Sequence, residues 1–462
     1  MRILIHGLNF LPELVGVGKY TGEMAEWLAE HGHDVRVVTA PPFNPASKVF
    51  PGFSAWRYTS EHHRFDRNVG SEESVRSSSP SLEKRLFSEM VNEASASRAT
   101  ILIPDVGFAG EGESAGSLSI FRCPVWVPLT SSGGKRILHL TSFALSSFWT
   151  MLRQLAWKPE VVFFIEPTLF CAPNAWITAR LSRAKSWFHI QDFEADAAFD
   201  LGVLRSAHLR RLVLALESKC MRGFDRVSTI SPKMGLRAAQ KGVAGPRYVT
   251  FPNWVDTRTI FPLSNPSPFR SELRIPTNAI VSLYAGTMAR KQGLEVLGDT
   301  VRQLNSRDKL HFVFCGDGPA KPMLADLASR FSNVHFLPLQ PLERLNDLLN
   351  LADIHLLPQR ADAADLVMPS KLTGMLASGR PVIAGAAKGT QLAQVVQDHG
   401  LVVPPDDPAA FTWAINHLAS HPTLRERLGR SSRSYATSVL DRSVVLEQFE
   451  IELVKLISDD NP

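Results

Sequence analysis

The sequence lacks paired cysteines, a signal-peptide pattern and any long apolar run. Its cysteines are scattered and form no C-x-x-C pair; they are Cys123, Cys171, Cys220 and Cys315. This spacing argues against a disulfide framework or a zinc site and is typical of buried thiols in a reducing compartment. No stretch reaches the roughly 18 apolar residues that a membrane-spanning helix needs, and the opening MRILIHG enters a strand directly. We therefore predict a cytoplasmic protein.

The sequence also lacks a strong charge of either sign. Lysine and arginine total 50 against 45 acidic residues, which gives a formal net charge of +5 over 462 residues. This small excess does not favour nucleic acid as a partner, but it suits an anionic substrate or a membrane surface. The length predicts about two or three domains, and 44% hydrophobic with 21% charged residues is ordinary for a globular protein.

The first forty residues predict a β-α-β unit. Residues 3–5 form an apolar run typical of a strand buried on both faces, and residues 35–39 give the second strand after a loop and a helix. Such a unit has a ligand crevice at its strand ends, where Gly16 and Gly18 would let backbone approach a ligand. The glycine spacing, which continues to Gly22, misses the dinucleotide fingerprint, so NAD is not expected.

Residues 60–118 have a different composition from the rest of the chain. They are rich in serine, glutamate and glycine and contain few large apolar residues. We predict a surface insertion here, mostly disordered, with one short helix near residues 82–91.

Residues 135–157 read KRILHLTSFALSSFWTMLRQLAW and combine basic ends with leucine, phenylalanine, tryptophan and methionine. Two interpretations fit this composition equally. The segment is either an amphipathic helix that touches a membrane surface or a core helix of the first domain.

Polar residues follow the buried strand at residues 185–190, in the order HIQDFE over positions 189–194. The ends of parallel strands are where crevices form, so His189 or Asp192 could orient an acceptor hydroxyl or support a leaving group. A lone histidine at a strand end is more often structural, which makes Asp192 the stronger candidate.

A second α/β unit begins near residue 280, after a polar, proline-rich segment. Its first loop brings Arg290 and Lys291 to a helix mouth, which suggests phosphate binding, and its next strand ends in a tight turn at Gly316. We predict an N-terminal domain at residues 1–255, a second domain at residues 256–436, and a C-terminal helix in residues 437–462 that returns to the first domain. The fold class is α/β, with two Rossmann-like doubly wound domains facing a cleft.

The stretch from Asp365 to Gly385 reads DLVMPSKLTGMLASGRPVIAG and is the expected place for the chemistry. Pro369 and Ser370 predict a helix start, with Leu372 on its apolar face. Lys371 then lies in the first turn, where the helix dipole disfavours a cation. A bound diphosphate would remove this conflict, because amide groups and the lysine would face it together.

These motifs resemble the family 4 glycosyltransferases of the GT-B fold, and the colanic acid biosynthesis group, described as fucosyltransferases, most of all. The resemblance covers nearly the whole chain outside the insertion. It rests on GLNFLPELVGVGKYTGEMAEWLAEHGHDVRVVTAPP, HIQDFEADA, FPNWVD, FCGDGP and MPSKLTGMLASGRPVIA.

The resemblance implies transfer of a sugar from a GDP- or UDP-sugar to an acceptor, with retention at the anomeric carbon and without a metal or other cofactor. The chain has no D-x-D triad, which agrees with metal independence. Carried over by position, Asp192 lies on the acceptor side and Lys371 beside the donor phosphates. The donor side as a whole comprises Gly16, Gly18, Arg290, Lys291, Gly316, Leu337, Pro369, Ser370, Lys371 and Leu372.

The sequence departs from the family at three positions. Leu366 and Gly374 stand where many members carry two glutamates, and Thr287 stands where many carry an arginine. We expect Asp365 and Arg290 to supply part of what these residues would provide. The colanic acid group shows a similar loss.

The expected acceptor is a glycan on a polyprenyl diphosphate lipid, in exopolysaccharide biosynthesis, with the protein on the inner face of the plasma membrane. Two alternatives remain: a GT-B fold nucleotide-sugar 2-epimerase, and a non-catalytic nucleotide-sugar-binding protein. Nucleotide release that depends on an acceptor separates transfer from epimerisation, and binding without turnover would support the third interpretation.

Overall fold

The computed structural model describes residues 1–13, 16–44, 47–66, 114–128, 133–193, 207–243, 245–289, 292–304, 309–361 and 368–458. Contacts divide the chain into two compact units. The first unit comprises Met1–Thr229, Gly235–Phe251 and Gln448–Pro462, and the second comprises Ile230–Met234 and Pro252–Glu447.

Within the described residues, the first unit is built on an eight-stranded sheet. Its strands are β1 (Arg2–His6), β2 (Asp34–Thr39), β3 (Thr59–Asp66), β4 (Ser114–Arg122), β5 (Val161–Glu166), β6 (Lys185–Ile190), β7 (Arg226–Thr229) and β8 (Tyr248–Thr250). The order across the sheet is β3-β4-β2-β1-β5-β6-β7-β8. All neighbours are parallel except β3 and β4, which are antiparallel.

Helices cover this sheet, and short 3-10 turns connect some of them. The helices are α1 (Val17–Glu30), α2 (Gly133–Arg153), α3 (Ala172–Ser182), α4 (Ala207–Gly223) and α5 (Pro232–Gln240), with 3-10 turns at Gln154–Trp157, Leu169–Cys171 and Gly245–Arg247. The central strands β1, β5 and β6 are almost entirely buried, as their continuous apolar runs predict for a parallel sheet covered on both faces.

The predicted insertion at residues 60–118 is shorter than its composition indicated. Residues at both of its ends belong to β3 and β4, where Leu118 and Ile120 alternate with more exposed neighbours and enter the core. A salt bridge of 2.8 Å between Glu61 and the buried Arg122 joins the two strands. The alternation of buried and exposed residues is too short to be recognised in a sequence whose surroundings are so polar. The remaining part, with the helix predicted near residues 82–91, lies outside the described residues.

The second unit is built on a six-stranded parallel sheet in the described residues. Its strands are β9 (Ile280–Ala285), β10 (Leu310–Cys315), β11 (Val334–Leu337), β12 (Ile354–Leu357), β13 (Val382–Gly385) and β14 (Gly400–Val403), in the order β11-β10-β9-β12-β13-β14. Its helices are α6 (Phe269–Glu272), α7 (Glu295–Leu304), α8 (Lys321–Arg330), α9 (Leu345–Leu351), α10 (Lys371–Ala377), α11 (Gln391–Val396), α12 (Pro408–Ser420) and α13 (Pro422–Val439), with a 3-10 turn at Leu342–Arg344.

The last helix, α14 (Arg442–Ser458), is divided between the two units after Glu447. Its later part packs on the first sheet through Phe449. The Phe449 ring stacks on Phe251 at 4.3 Å and meets Phe163 and Trp187 edge-on, each at 5.2 Å between ring centroids. The architecture of two doubly wound parallel sheets that the sequence predicts is confirmed.

Candidate functional site

The order of the second sheet locates a crevice at β9. From β9 the chain proceeds to β10 and β11 on one side of the sheet and then to β12, β13 and β14 on the other. The loops that leave β9 and β12 therefore diverge at the carboxyl ends of adjacent strands. In open α/β sheets, ligands bind at such a reversal of strand order.

Two glycine turns lie against each other at this edge. The amide of Gly286 donates to the Cys315 carbonyl at 2.9 Å, and the amide of Met288 donates to the Asp317 carbonyl at 2.8 Å. Gly316 has a φ of +154°, and a Cβ at that position would lie 2.0 Å from the Gly286 carbonyl oxygen. Only glycine allows this approach, so the turns after β9 and β10 form one compact floor beside the crevice.

Lys371 lies at the crevice. It is held by Tyr284, which belongs to β9, and by Gln292, which belongs to the loop after β9. Its Nζ donates to the Tyr284 hydroxyl at 2.9 Å and to Oε1 of Gln292 at 3.3 Å, and it lies 4.4 Å from the centroid of the Tyr284 ring. The Tyr284 hydroxyl donates in turn to the Thr287 carbonyl at 2.6 Å. Burial raises the pKa of Tyr284, so its hydroxyl stays protonated and acts as this donor.

The helix after β12 starts two residues later than predicted. α10 begins at Lys371, Ser370 is its exposed N-cap residue, and Pro369 precedes it. The amide of Leu372 donates to the Pro369 carbonyl at 3.0 Å, and the amide of Thr373 donates to Ser370 at 3.4 Å. The first turn is therefore partly closed on itself. Leu372 is buried in the core, so it supports the turn from beneath.

Gly316 and Leu337, two of the predicted donor-side residues, border the same edge. The amide of Gly316 donates to the carbonyl of Leu337 at 3.2 Å, which ties the turn after β10 to the end of β11. Leu337 is half-buried, and Leu339 beyond it is exposed. An apolar side chain at a strand end can stack against a flat heterocycle, so the assignment of Leu337 to the donor side stays a prediction.

Several predicted residues lie outside the described part of the chain. Arg290 and Lys291 do so, as do Asp365 and Leu366. Gly374 is described and lies inside α10, where a Cβ would come 3.2 Å from Leu349.

In the first unit, the loop after β1 is organised by Glu13, which the sequence reasoning missed. This buried carboxylate accepts hydrogen bonds from the amide of Phe43 at 2.8 Å, the amide of Asn44 at 3.0 Å and the side chain of Asn9 at 2.9 Å. Burial raises its pKa, against the lowering effect of these hydrogen bonds. The available signal was a single acid in a mostly apolar loop, NFLPEL.

Gly16, Gly18 and Gly22 have different roles around this loop. Gly16 caps α1 with φ of 61° and ψ of −139°, a conformation that requires glycine, and a Cβ there would meet no atom within 4 Å. A Cβ on Gly18 would lie 2.8 Å from that of Glu13, and one on Gly22 would lie 2.1 Å from Cγ of Leu11. Gly16 therefore leaves open space at the helix start, whereas the other two let the loop pack on α1.

His189 is placed in the core of the first unit. Its ring nitrogens contact Ser228 Oγ at 2.8 Å and the Gln191 side-chain amide at 2.9 Å, and its ring stacks near Phe163. Burial lowers its pKa to about 3, so the imidazole is neutral at physiological pH. This geometry favours the structural interpretation of His189 over a role in proton transfer.

Asp192 and Glu166 lie at the ends of adjacent strands. Asp192 is half-buried two residues after β6, and Glu166 is the last residue of β5 and is fully buried. β5 is also the strand where the order of the first sheet reverses beside β1. Asp192 therefore remains the acceptor-side candidate. Among the described residues, no three His, Cys, Asp or Glu side chains are grouped so as to hold a metal ion.

Comparisons with known proteins agree with this geometry. A family model described as a glycosyl transferase 4-like domain matches residues 15–254, and one described as glycosyl transferases group 1 matches residues 279–421. WcaI of Escherichia coli (strain K12), whose name assigns it provisionally to colanic acid biosynthesis as a glycosyl transferase, is 35% identical over 97% of this chain and 98% of its own.

Solved structures share the fold at low identity. Sucrose-phosphate synthase from Thermosynechococcus elongatus has a TM-score of 0.68 and 15% identity, covering 99% of both chains. HepE of Anabaena, solved in complex with UDP and glucose, has a TM-score of 0.62 and 13% identity, covering 98% of this chain and 99% of its own. The matches to both domains and to a relative along nearly its full length show that the chain belongs to the GT-B fold glycosyltransferases with a 4-like domain and a group 1 domain.

Proposed function

We propose that the chain is a retaining, metal-independent hexosyltransferase that moves a sugar from a GDP- or UDP-sugar to a lipid-linked glycan. The observation that carries the donor half of this proposal is the fixed position of Lys371 at the strand-order reversal of the second sheet. Support for the nucleotide comes from HepE, a structural neighbour that holds UDP and glucose. Support for the pathway comes from the name of WcaI, and we propose a role in exopolysaccharide biosynthesis.

The residues at this edge suit the departure of a diphosphate. In the reaction, the bond between the anomeric carbon and the diphosphate oxygen breaks, and its electrons leave with the nucleoside diphosphate. The carbon forms a bond to the oxygen of an acceptor hydroxyl, whose proton passes to the departing diphosphate. Negative charge therefore grows on the diphosphate, where the Lys371 ammonium would stabilise it. Because Tyr284 and Gln292 already hold the ammonium, little reorganisation is needed when the charge develops.

The donor is tested by the stabilisation that a bound nucleotide gives to the folded protein. We expect GDP or UDP, and the matching sugar nucleotide, to raise the melting temperature, because a ligand at 100 times its Kd adds about 2.7 kcal/mol to the unfolding free energy. NAD and ADP serve as controls, because each carries a diphosphate but has adenine in place of guanine or uracil. No shift with any GDP- or UDP-compound would contradict the assigned donor class.

Turnover separates the alternatives. With the donor identified and EDTA present throughout, nucleotide release is measured with and without a membrane lipid extract as the acceptor source. Acceptor-dependent release supports transfer, and a product with the donor's anomeric configuration supports retention. Acceptor-independent conversion of the sugar at C2 would instead identify an epimerase.

The exposed face of α2 supports the proposal that the protein acts at a membrane surface. One face of this helix is in the core, with Phe143 and Met151 fully buried, so the core interpretation of the segment holds. The opposite face nevertheless exposes Leu145 to 69% and Trp149 to 64%. Large apolar side chains grouped on one exposed face are typical of a lipid or protein contact.

Neighbouring residues extend this face and give it a positive charge. Tyr58 is exposed and donates to the Ser146 carbonyl at 3.1 Å, which joins a second exposed aromatic side chain to this helix. The sequence of α2 contains Lys135, Arg136 and Arg153 and no acidic residue. Aromatic and basic side chains together favour the headgroup region of an anionic bilayer. Within the described residues, no helix is long and apolar enough to cross one.

Replacing Leu145 and Trp149 with serine is expected to weaken binding to vesicles of phosphatidylglycerol and phosphatidylcholine by about a hundredfold or more. Each side chain would lose roughly 1.5–3 kcal/mol of apolar burial in the bilayer interface. Binding is measured by co-sedimentation, with Trp413→Ser in the second unit as the control, because Trp413 is 59% exposed. A double variant that sediments like the wild type would remove this face from any membrane contact.

A further inference from the structure

The second unit contains an open cavity of about 450 Å³ that lies away from Lys371. Its polar lining comprises Arg380, Arg430, Arg433, Glu426 and Ser434. Arg380 lies two residues before β13, so it is at the amino end of a strand. All strands of this sheet are parallel, and Lys371 follows the carboxyl end of β12. The cavity therefore lies at the amino ends of the strands, whereas the candidate donor site lies at the carboxyl ends of strands in the same sheet.

Arg380 brings a partly buried positive charge to the lining of the cavity. Its Nε is buried and has no hydrogen-bond partner in the described part of the chain. Burial lowers the pKa of Arg380, partly offset by the attraction of Asp353, but a guanidinium remains charged at physiological pH. Arg380 also lines the cavity, so its charge is offset when an anion binds there and accepts from the part of the guanidinium that faces the cavity.

The other two arginines of the lining make different contacts. Arg433 donates to the carbonyls of Thr257 at 2.9 Å, Ile260 at 2.7 Å and Ala377 at 2.9 Å, so it builds the cavity wall. Arg430 is exposed and lies 3.9 Å from Glu426 on the same helix, α13. Such an exposed pair is weak, and Arg430 can turn toward a ligand at little cost.

We propose that this cavity binds a phosphorylated sugar. The lining has three arginines against one glutamate, which favours an anion. The volume is within the range of small-molecule sites and exceeds what inorganic phosphate alone would fill. The phosphoryl group would accept from Arg380 and Arg430, while Glu426 and Ser434 would bind sugar hydroxyls. This site is additional to the proposed donor site.

The test is isothermal titration calorimetry of the full chain with glucose 6-phosphate. Inorganic phosphate and glucose, the two components of that ligand, are titrated separately. We expect glucose 6-phosphate to bind the wild type more tightly than either component. Arg380→Gln and Arg430→Gln are each expected to weaken its binding by roughly ten- to a hundredfold, because each removes a charge-assisted hydrogen bond to phosphate. Arg427→Gln is the matched control, since Arg427 is exposed on α13 and does not line the cavity.

Two further comparisons distinguish a failure of this proposal from a failure of the donor proposal. Lys371→Ala should bind glucose 6-phosphate like the wild type, and Arg430→Gln, an exposed change with no expected effect on folding, should keep its affinity for the nucleotide. Absence of binding to the wild type, or equal binding by Arg430→Gln and Arg427→Gln, would overturn the proposal. Equal affinity for inorganic phosphate would overturn the sugar part of it.

Discussion

Lys371→Ala is expected to lower kcat by about 10²–10³ and to leave the fold intact. Removal of one preorganised group that stabilises charge in the transition state typically has an effect of this size. The ammonium is held at 2.9 Å by the Tyr284 hydroxyl and at 3.3 Å by Gln292, so its position is defined before substrate arrives. Because charge on the leaving diphosphate is larger in the transition state than in the bound donor, kcat should fall more than donor affinity.

The measurement is nucleotide release at saturating donor, accompanied by a melting curve for each variant. Lys309→Ala is the control, since Lys309 is an exposed lysine just before β10, at the opposite edge of the same sheet. The control should retain wild-type kcat. A Lys371→Ala enzyme with unchanged kcat would exclude this lysine from the reaction, even if the donor class proved correct.

The fold could be predicted from sequence because its signals are local. Buried parallel strands read as short apolar runs such as VVFFIE and LHFVFC, and glycine turns mark their ends. Binary patterning of this kind decides which segments are strands and which loops are near a ligand. It also placed Lys371 in the first turn of a helix, where the structure has it.

The contacts that give the site its chemistry could not be predicted, because they join residues that are distant in sequence. Lys371 meets Tyr284 and Gln292 across 87 and 79 residues. His189 looked like a candidate beside Asp192, yet its hydrogen bond to Ser228 spans 39 residues and fixes it in the core. The sequence pattern predicts where each strand ends, but only the order of the strands in the folded sheet shows which strand ends are adjacent.

Gly316→Ala is expected to destabilise the protein by about 2–6 kcal/mol and to abolish nucleotide binding. The φ of Gly316 is +154°, which strains any other residue by roughly 1–3 kcal/mol. The new Cβ would also lie 2.0 Å from the Gly286 carbonyl oxygen, a contact with backbone that no side-chain rotation can relieve. Overpacking of this kind typically adds roughly 1–3 kcal/mol.

The loss of binding follows from the position of Gly286, which the added methyl group must displace. A Cβ on Gly286 would itself be only 3.3 Å from Nζ of Lys371, so a shift of this turn moves the anchor of the ammonium. Chemical denaturation and nucleotide titration measure the two effects. Gly389→Ala is the matched control: Gly389 has a φ of +84°, but a Cβ there meets nothing within 4 Å. Conformational strain alone should cost the control about 1–2 kcal/mol, with binding retained. If both variants lost the same stability and both bound nucleotide, the strand-end turns would not be in contact, and the preorganised site at Lys371 would lose its support.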